Sequence, residues 1–415
     1  MSGEQGESMK AEPDFARYAR IYRDALLDDV IPFWTEHSPD REHGGYYTFL
    51  DRDGSLYGTD KPIWLQARHV WLFSRLYNAV ERRQEWLDLA ALGYRFLLRR
   101  AFDHDGRMFF LVTDDGQPLR KRRYVFSEMF GVMAFSEYAK AAGDAEALDR
   151  ARGLFRLLME CLSTPGKLPP KVTPTTRETR THAVPMMLLC LCQQMRDYDD
   201  GPLYEEIAGR AVVELLTDFV KSEEKALIEN VGVHGERMDS PEGRLVCPGH
   251  AIESAAFLME EGRRRDDKGM IYGACEVLDW SLERGWDERH GGIVYFVDAE
   301  GRPPEQLEHD MKLWWPHIEA LRASLIAYRL TFEKRYRDWF VRLHDWTFGH
   351  FPDPDFGEWF GYLHYDGTVA LQAKGGLWKG AFHLGRGLLD CWRLLEELHG
   401  LTQAEEDIRP VAKGP

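Results

Sequence analysis

A cationic surplus, long apolar runs and patterned cysteines are what this 415-residue chain lacks. Its 53 Lys and Arg stand against 69 Asp and Glu, a formal charge of −16. That balance argues against a nucleic-acid or anionic-membrane partner, because both are held by clustered Lys and Arg. The longest apolar run, Ala183 to Cys192, is far short of the ~20 residues that cross a bilayer as a helix. The six cysteines (161, 190, 192, 247, 275 and 391) form no CxxC pair and no regular framework. They fit reduced core thiols in a cytoplasmic protein. The opening residues, MSGEQGESMKAEPDF, have no basic region followed by an apolar stretch, so no secretory signal is expected. GxSxG and catalytic-cysteine motifs are missing, and GGLWKG lacks the spacing and strand context of a phosphate-binding loop.

What is present is an apolar complement of 44%, with 13% aromatic residues, laid out as a repeat. HGGYYTFLDRDGSLYG (43–58) alternates aromatics and ends in a hairpin signal, after which IWLQARHVWLFSRLYNAV (63–80) takes a helical period. The unit recurs as GRMFFLVTDDG (106–116) before FSEMFGVMAFSEYAKAA, GGIVYFVDAEG (291–301) before LWWPHIEALRASLIAYRL, and FGEWFGYLHYDG (356–367) before GGLWKGAFHLGRGLL. MDSPEG (238–243) is a weaker hairpin before CPGHAIESAAFLMEE (247–261), and THAVPMMLLCLCQQM (181–195) supplies the helix of a unit that has lost its hairpin. Six units of roughly sixty residues result, with amphipathic second helices such as 86–102 and 270–285 between them. An open solenoid needs polar capping repeats, and none is visible. The expected fold is therefore all-α: a closed α/α toroid of six helix hairpins, with short β-hairpins at the active-site end. Residues 13–400 are read as that single catalytic domain, 1–12 as an N-terminal tail and 401–415 as a C-terminal tail. Pro32 is expected to end or kink the first helix, and Gly262 to stop the helix that Pro248 begins. Trp339, Phe340 and Trp346 on an outer helix suggest either core packing or an aromatic face for a homodimer.

Polar residues near the starts of the inner helices keep one phase, and the toroid brings them to one cavity: Arg68, Glu128, His250 with Glu253, Glu319 and His383. His250 and Glu253, three apart, share a helix face. Two histidines on opposite sides, each near a glutamate, suit proton transfer, since imidazole titrates near ~6.5. Inverting a carbon that bears an acidic hydrogen needs removal from one face and delivery to the other. Arg68, one turn after Trp64, either stabilises the resulting oxyanion or holds Glu128 or Glu319 in a salt bridge. Trp314, Trp315 and Trp378 either stack on a sugar face or pack in the core. His182 and His317 stay undecided. A metal held by His250, Glu253, Glu319 and His383 is disfavoured, because a lone HxxE is a weak signal.

These residues resemble the N-acylglucosamine 2-epimerases along nearly the whole chain, through WLQARHVWLFSRLYN, AVPMMLLCL, GRLVCPGHAIE, MKLWWPHIEA and KGGLWKGAFHLGR. The resemblance implies an α/α barrel of six helix pairs, and interconversion of N-acetylglucosamine and N-acetylmannosamine by ring opening, deprotonation at carbon 2 and return of the proton to the other face. It implies catalytic roles for His250 and His383 and helper roles for Arg68, Glu253 and Glu319, without assigning which histidine abstracts. No cofactor is required for that chemistry. Some members need ATP as an activator, but the segment 163–178 lacks the glycine-rich pattern expected of such a site. Close relatives read SMAVPMM where this chain has THAVPMM, so His182 is an added imidazole. Cellobiose 2-epimerases carry an HxHxLE-type motif there, which favours the monosaccharide branch. The alternatives are an aldose–ketose isomerase or an epimerase of an unsubstituted sugar such as mannose, glucose or cellobiose. More distant is an inverting glycoside hydrolase with Glu253 and Glu319 as acid and base.

Overall fold

The computed structural model describes residues 13–122, 124–170, 173, 175–176 and 178–408. The tail expected at 1–12, residues 409–415 and part of 163–178 lie outside the described residues. The helices are α1 Phe15–Asp24, α2 Ile31–His37, α3 Ile63–Ala79, α4 Gln84–Arg100, α5 Phe126–Ala142, α6 Ala145–Ser163, α7 Ala183–Arg196 and α8 Pro202–Glu214. They continue with α9 Pro241–Arg244, α10 Pro248–Arg265, α11 Lys268–Gly285, α12 Trp314–Thr331, α13 Lys334–His350 and α14 Phe382–Ile408. Strands are two or three residues long and pair antiparallel in the connections.

Composition decides which helices go inside. From Trp314 to Tyr328 every residue of α12 is buried, and α5 is buried almost throughout. Such helices, buried on all sides, must be covered all round. Their partners α4, α6 and α11 are amphipathic and bury one stripe each. Pairing follows chain order: α3 packs on α4, α5 on α6, α7 on α8, α10 on α11 and α12 on α13, while α14 packs on α1 from the other end of the chain. Each inner helix also meets the next, α3 to α5, α7, α10, α12 and α14, and α14 touches α3.

Four turn glycines, Gly54, Gly116, Gly301 and Gly367, have the left-handed φ that the repeat required of them. Gly243 does not, because the end of MDSPEG enters the short helix α9, whose N-cap Ser240 accepts from the Gly243 N–H. The left-handed glycine of that unit is Gly235, φ 81°. Pro32 does not end the first helix. A π-helical turn at Ala25–Val30 precedes it, and the chain stays helical to His37. One wide turn shifts the hydrogen-bond ladder and removes the demand for a proline N–H. Gly262 does not stop α10 either: a Cβ there would press on Ile271, and the helix runs on to a left-handed Asp266. This glycine serves close packing on α11. At the C-terminus α14 continues to Ile408, past residue 400, where the tail was expected to begin; Leu394, Leu395 and Leu398 keep its apolar stripe packed.

Trp339, Phe340 and Trp346 do not make an exposed aromatic face. Phe340 is fully buried, Trp339 packs edge-on against Trp286, and the Trp346 indole donates to the His290 carbonyl at 2.8 Å. A device built on the spacing D-x-x-x-G holds the connections: buried Lys61, Lys312 and Lys374 pair with Asp40, Asp287 and Asp353 respectively. Each aspartate opens a tight turn closed by its own carbonyl and the N–H of Gly44, Gly291 or Gly357. Buried charges of this kind are tolerated because both are paired.

Candidate active site

Early turns of the inner helices open on a cavity of about 610 Å³. Of the residues expected there, Arg68, His250, Glu253, His383, Trp64, Trp314, Trp315 and Trp378 line it. Glu319 lies just behind, fully buried.

His250 sits in the first turn of α10, with Nδ1 3.1 and 3.2 Å from the two carboxylate oxygens of Glu229. Glu253, the expected partner three residues on, is taken by Arg386 at 2.6 Å. Glu229 comes from the connection before α9, where nothing in the sequence marked it. Burial disfavours a charged ring at His250, but the neighbouring Cys247 and the Glu229 carboxylate outweigh it and hold this imidazole well above its usual value. Burial likewise opposes the Glu229 charge, and His250 and His182 more than compensate, keeping it ionised.

His383 opens α14, its Nδ1 2.9 Å from Oε1 of Glu319. Here burial comes first and the Arg68 cation second, and together they hold the imidazole well below its usual value. The two rings therefore differ in proton affinity. They are also not on opposite sides of the fold: α12 lies between α10 and α14 and packs on both. Its Trp315 touches His250 at 5.1 Å and His383 at 5.7 Å between ring centroids. The histidines flank this indole. With both Nδ1 atoms on carboxylates, Nε2 is the nitrogen each ring has left for a ligand.

Of the two alternatives for Arg68, the salt bridge to Glu128 or Glu319 is not formed among the described residues. Its guanidinium lies 4.3, 4.0 and 4.9 Å from the ring centroids of Trp64, Phe130 and Phe382, and its buried Nε has no hydrogen-bond partner. Burial lowers its pKa to about 9, leaving it charged at neutral pH. Among the described residues it makes no salt bridge, so this cation is free to meet an anionic oxygen. Glu128 does not reach the cavity. It accepts from Arg107 Nε and from the Met108 N–H, both at 3.0 Å, and belongs to the framework.

His317 is also structural. Its Nδ1 donates to the Leu313 carbonyl at 2.6 Å, Nε2 accepts from the Ile293 N–H at 2.8 Å, and burial lowers its pKa to about 3. His182 is fully buried behind His250. Trp378 is 51% exposed and meets Trp64 edge-on at the rim; it is not a core residue. Arg386 was missed, although it follows His383 by three residues and so shares its helix face. One of its nitrogens bridges Glu253 at 2.6 Å and Glu319 at 2.5 Å.

Two groups of donors lie close enough together to hold a cation: His182, Glu229 and His250, and Glu253, Glu319 and His383. In the second, Arg386 already fills the cation's place. In the first, the His250 ring hydrogen-bonds Glu229 at 3.1 Å and Nε2 of His182 is taken by the Ser254 hydroxyl.

Known proteins resemble the chain over this whole frame. The sequence pattern of the N-acylglucosamine 2-epimerase (GlcNAc 2-epimerase) family matches residues 45–384. The N-acylglucosamine 2-epimerase of Mus musculus is 39% identical over 383 residues, covering 90% of each chain. The cellobiose 2-epimerase of Dictyoglomus turgidum is 26% identical, covering 88% of this chain and 95% of its own. The solved cellobiose 2-epimerase of Bacillus thermoamylovorans superposes with a TM-score of 0.81 at 21% identity, over 92% of this chain and all of that one.

Proposed function

The chain belongs to the N-acylglucosamine 2-epimerase family, and from that premise we propose that it interconverts N-acetyl-D-glucosamine and N-acetyl-D-mannosamine. The observation that carries this is the pair of imidazoles flanking Trp315, each tied at Nδ1 to its own carboxylate. The closed toroid of six helix pairs that the reading assumes is supported by the succession of inner-helix contacts and by α14 meeting α3.

In the open-chain sugar the aldehyde at carbon 1 acidifies the hydrogen on carbon 2. One imidazole takes that proton from one face, and the other returns a proton to the opposite face. The pair works with a single proton between its members. His250, the more basic, holds it, and neutral His383 is ready to abstract; passage through the intermediate leaves the proton on the other ring. Turnover in the reverse direction runs the same states backwards. Oxygen 1 gains negative charge as carbon 2 loses its proton, and Arg68, which has no salt bridge among the described residues, stabilises it. Arg386 binds Glu253 and Glu319 and so fixes the support of His383. Both carboxylates accept from one guanidinium nitrogen, so they do not flank a substrate as the acid and base of a hydrolase would.

Incubation with N-acetylglucosamine in deuterated water tests the proposal. Deuterium at carbon 2 of N-acetylmannosamine is expected, and His250→Asn or His383→Asn should nearly abolish it. Formation of a ketose, or full activity in either variant, would refute it.

A further inference from the structure

Behind His250 lies a second imidazole that the reaction does not use. His182 is completely buried, and its backbone N–H donates to the Glu229 carbonyl at 3.0 Å, where residues 179–181 pair with 230–232. Its Nε2 is 2.6 Å from the Ser254 hydroxyl on α10. Its Nδ1 makes no hydrogen bond among the described residues and lies at ion-pair distance, 3.4 Å, from Oε1 of Glu229, the same oxygen that is 3.1 Å from His250. An ionised carboxylate beside Nδ1 selects the tautomer with its hydrogen there. Nε2 is then an acceptor, and the serine hydroxyl is its donor.

We propose that His182 is a positioning residue for proton transfer at His250: Ser254, His182, Glu229 and His250 form one buried relay that holds the Nδ1–H of His250 on Glu229 and leaves Nε2 for the sugar. The proposal rests on the epimerase reading of His250. Glu229 needs more than one favourable polar neighbour to stay ionised in so buried a place, and the His182 ring, 3.4 Å away, is the second. It also limits how strongly Glu229 draws on the His250 proton, because a carboxylate with fewer donors is a stronger base. The other groups facing His250 are Cys247 and Glu253 on its own helix, Tyr295 from the connection before α12, and His383 and Arg386 from α14. None of these contacts Ser254 or His182 through a hydrogen bond, so changes at those two residues act through Glu229.

The test is the pH profile of carbon-2 deuterium exchange in His182→Phe, His182→Asn, Ser254→Ala and His250→Asn. Phenylalanine keeps the ring volume against Phe219, 5.9 Å away, but removes the donor. It should lower kcat about ten-fold with little change in KM and move the alkaline limb upward by about half a pH unit. Asparagine, whose amide nitrogen falls near the position of Nδ1, should restore kcat to within about two-fold of the parent. Ser254→Ala, a small excision, should shift the limb in the same direction as phenylalanine, by less. An unmoved limb in both His182→Phe and Ser254→Ala, or asparagine as damaging as phenylalanine, would overturn the proposal and leave His182 as packing. Full activity in His250→Asn would instead bring down the epimerase reading itself.

Discussion

Replacing Glu229 by glutamine separates the charge of this carboxylate from its geometry. The amide oxygen can still accept the Nδ1–H of His250, now 3.1 Å from the carboxylate, so the ring should keep its place. What is lost is a negative charge centred about 4 Å from the imidazolium, worth about 4 kcal/mol at an effective dielectric constant of ~20. That corresponds to about three pH units of proton affinity. Burial, which already works against the charged ring at His250, then prevails as it does at His383. Both histidines are neutral at pH 7, and the pair has no proton to deliver. Conversion to the epimer should fall by a factor of about 10² to 10⁴, the usual worth of a general acid, and its alkaline limb should move to lower pH. Rates measured between pH 5 and 9, with circular dichroism to confirm folding, decide it. A folded Glu229→Gln protein with an unmoved alkaline limb would refute the assignment of the proton to His250.

Arg68→Gln should lower kcat by about 10² to 10³ while the protein melts near its normal temperature, because the lost contact exists only once charge develops on oxygen 1; a change confined to KM would contradict this. Glu128→Gln should do the reverse, destabilising by about 3–5 kcal/mol through an unpaired buried Arg107 with kcat kept in the folded fraction, as chemical denaturation and rates will show. His69, His317 and His344 are held neutral by burial, with pKa values lowered to about 4, 3 and 4. Their contribution to stability is complete above the unfolded value near ~6.5 and is lost as pH falls towards those folded values. Thermal melts should therefore fall between pH 7 and 4, and His344→Phe should flatten that fall. Cys190 lines the cavity, but burial raises its thiol to about 11, so iodoacetamide at pH 7 should modify it no faster than the other buried cysteines, as mass spectrometry will show.

The parts of the site that were legible in the sequence are those carried by helix starts. Trp64 and Arg68, His250 and Glu253, and Trp314 and Trp315 occupy the first two turns of helices whose apolar period was plain, so their common phase placed them in one cavity. The same rule misled at Glu128, which has the right phase but is drawn away by Arg107, a residue of the preceding connection. It also paired His250 with the wrong carboxylate. Glu229 sits in an irregular stretch whose position depends on strand pairing between residues 179–181 and 230–232, a contact that no local pattern announces. Arg386 was within reach of the argument used for His250 and Glu253, since it follows His383 at the same spacing. Helix ends were misread at Gly262, which serves close packing on α11, and at Pro32, whose missing N–H a π-helical turn accommodates.

The central claim is that two imidazoles act on carbon 2 from different sides. Its most direct test is the place of the first deuterium during conversion of N-acetylglucosamine in deuterated water. Two bases predict that, early in the reaction, deuterium appears at carbon 2 of N-acetylmannosamine while unconverted N-acetylglucosamine remains unlabelled. Label entering both sugars equally from the start, or hydrogen returning to the product without exchange, would contradict it.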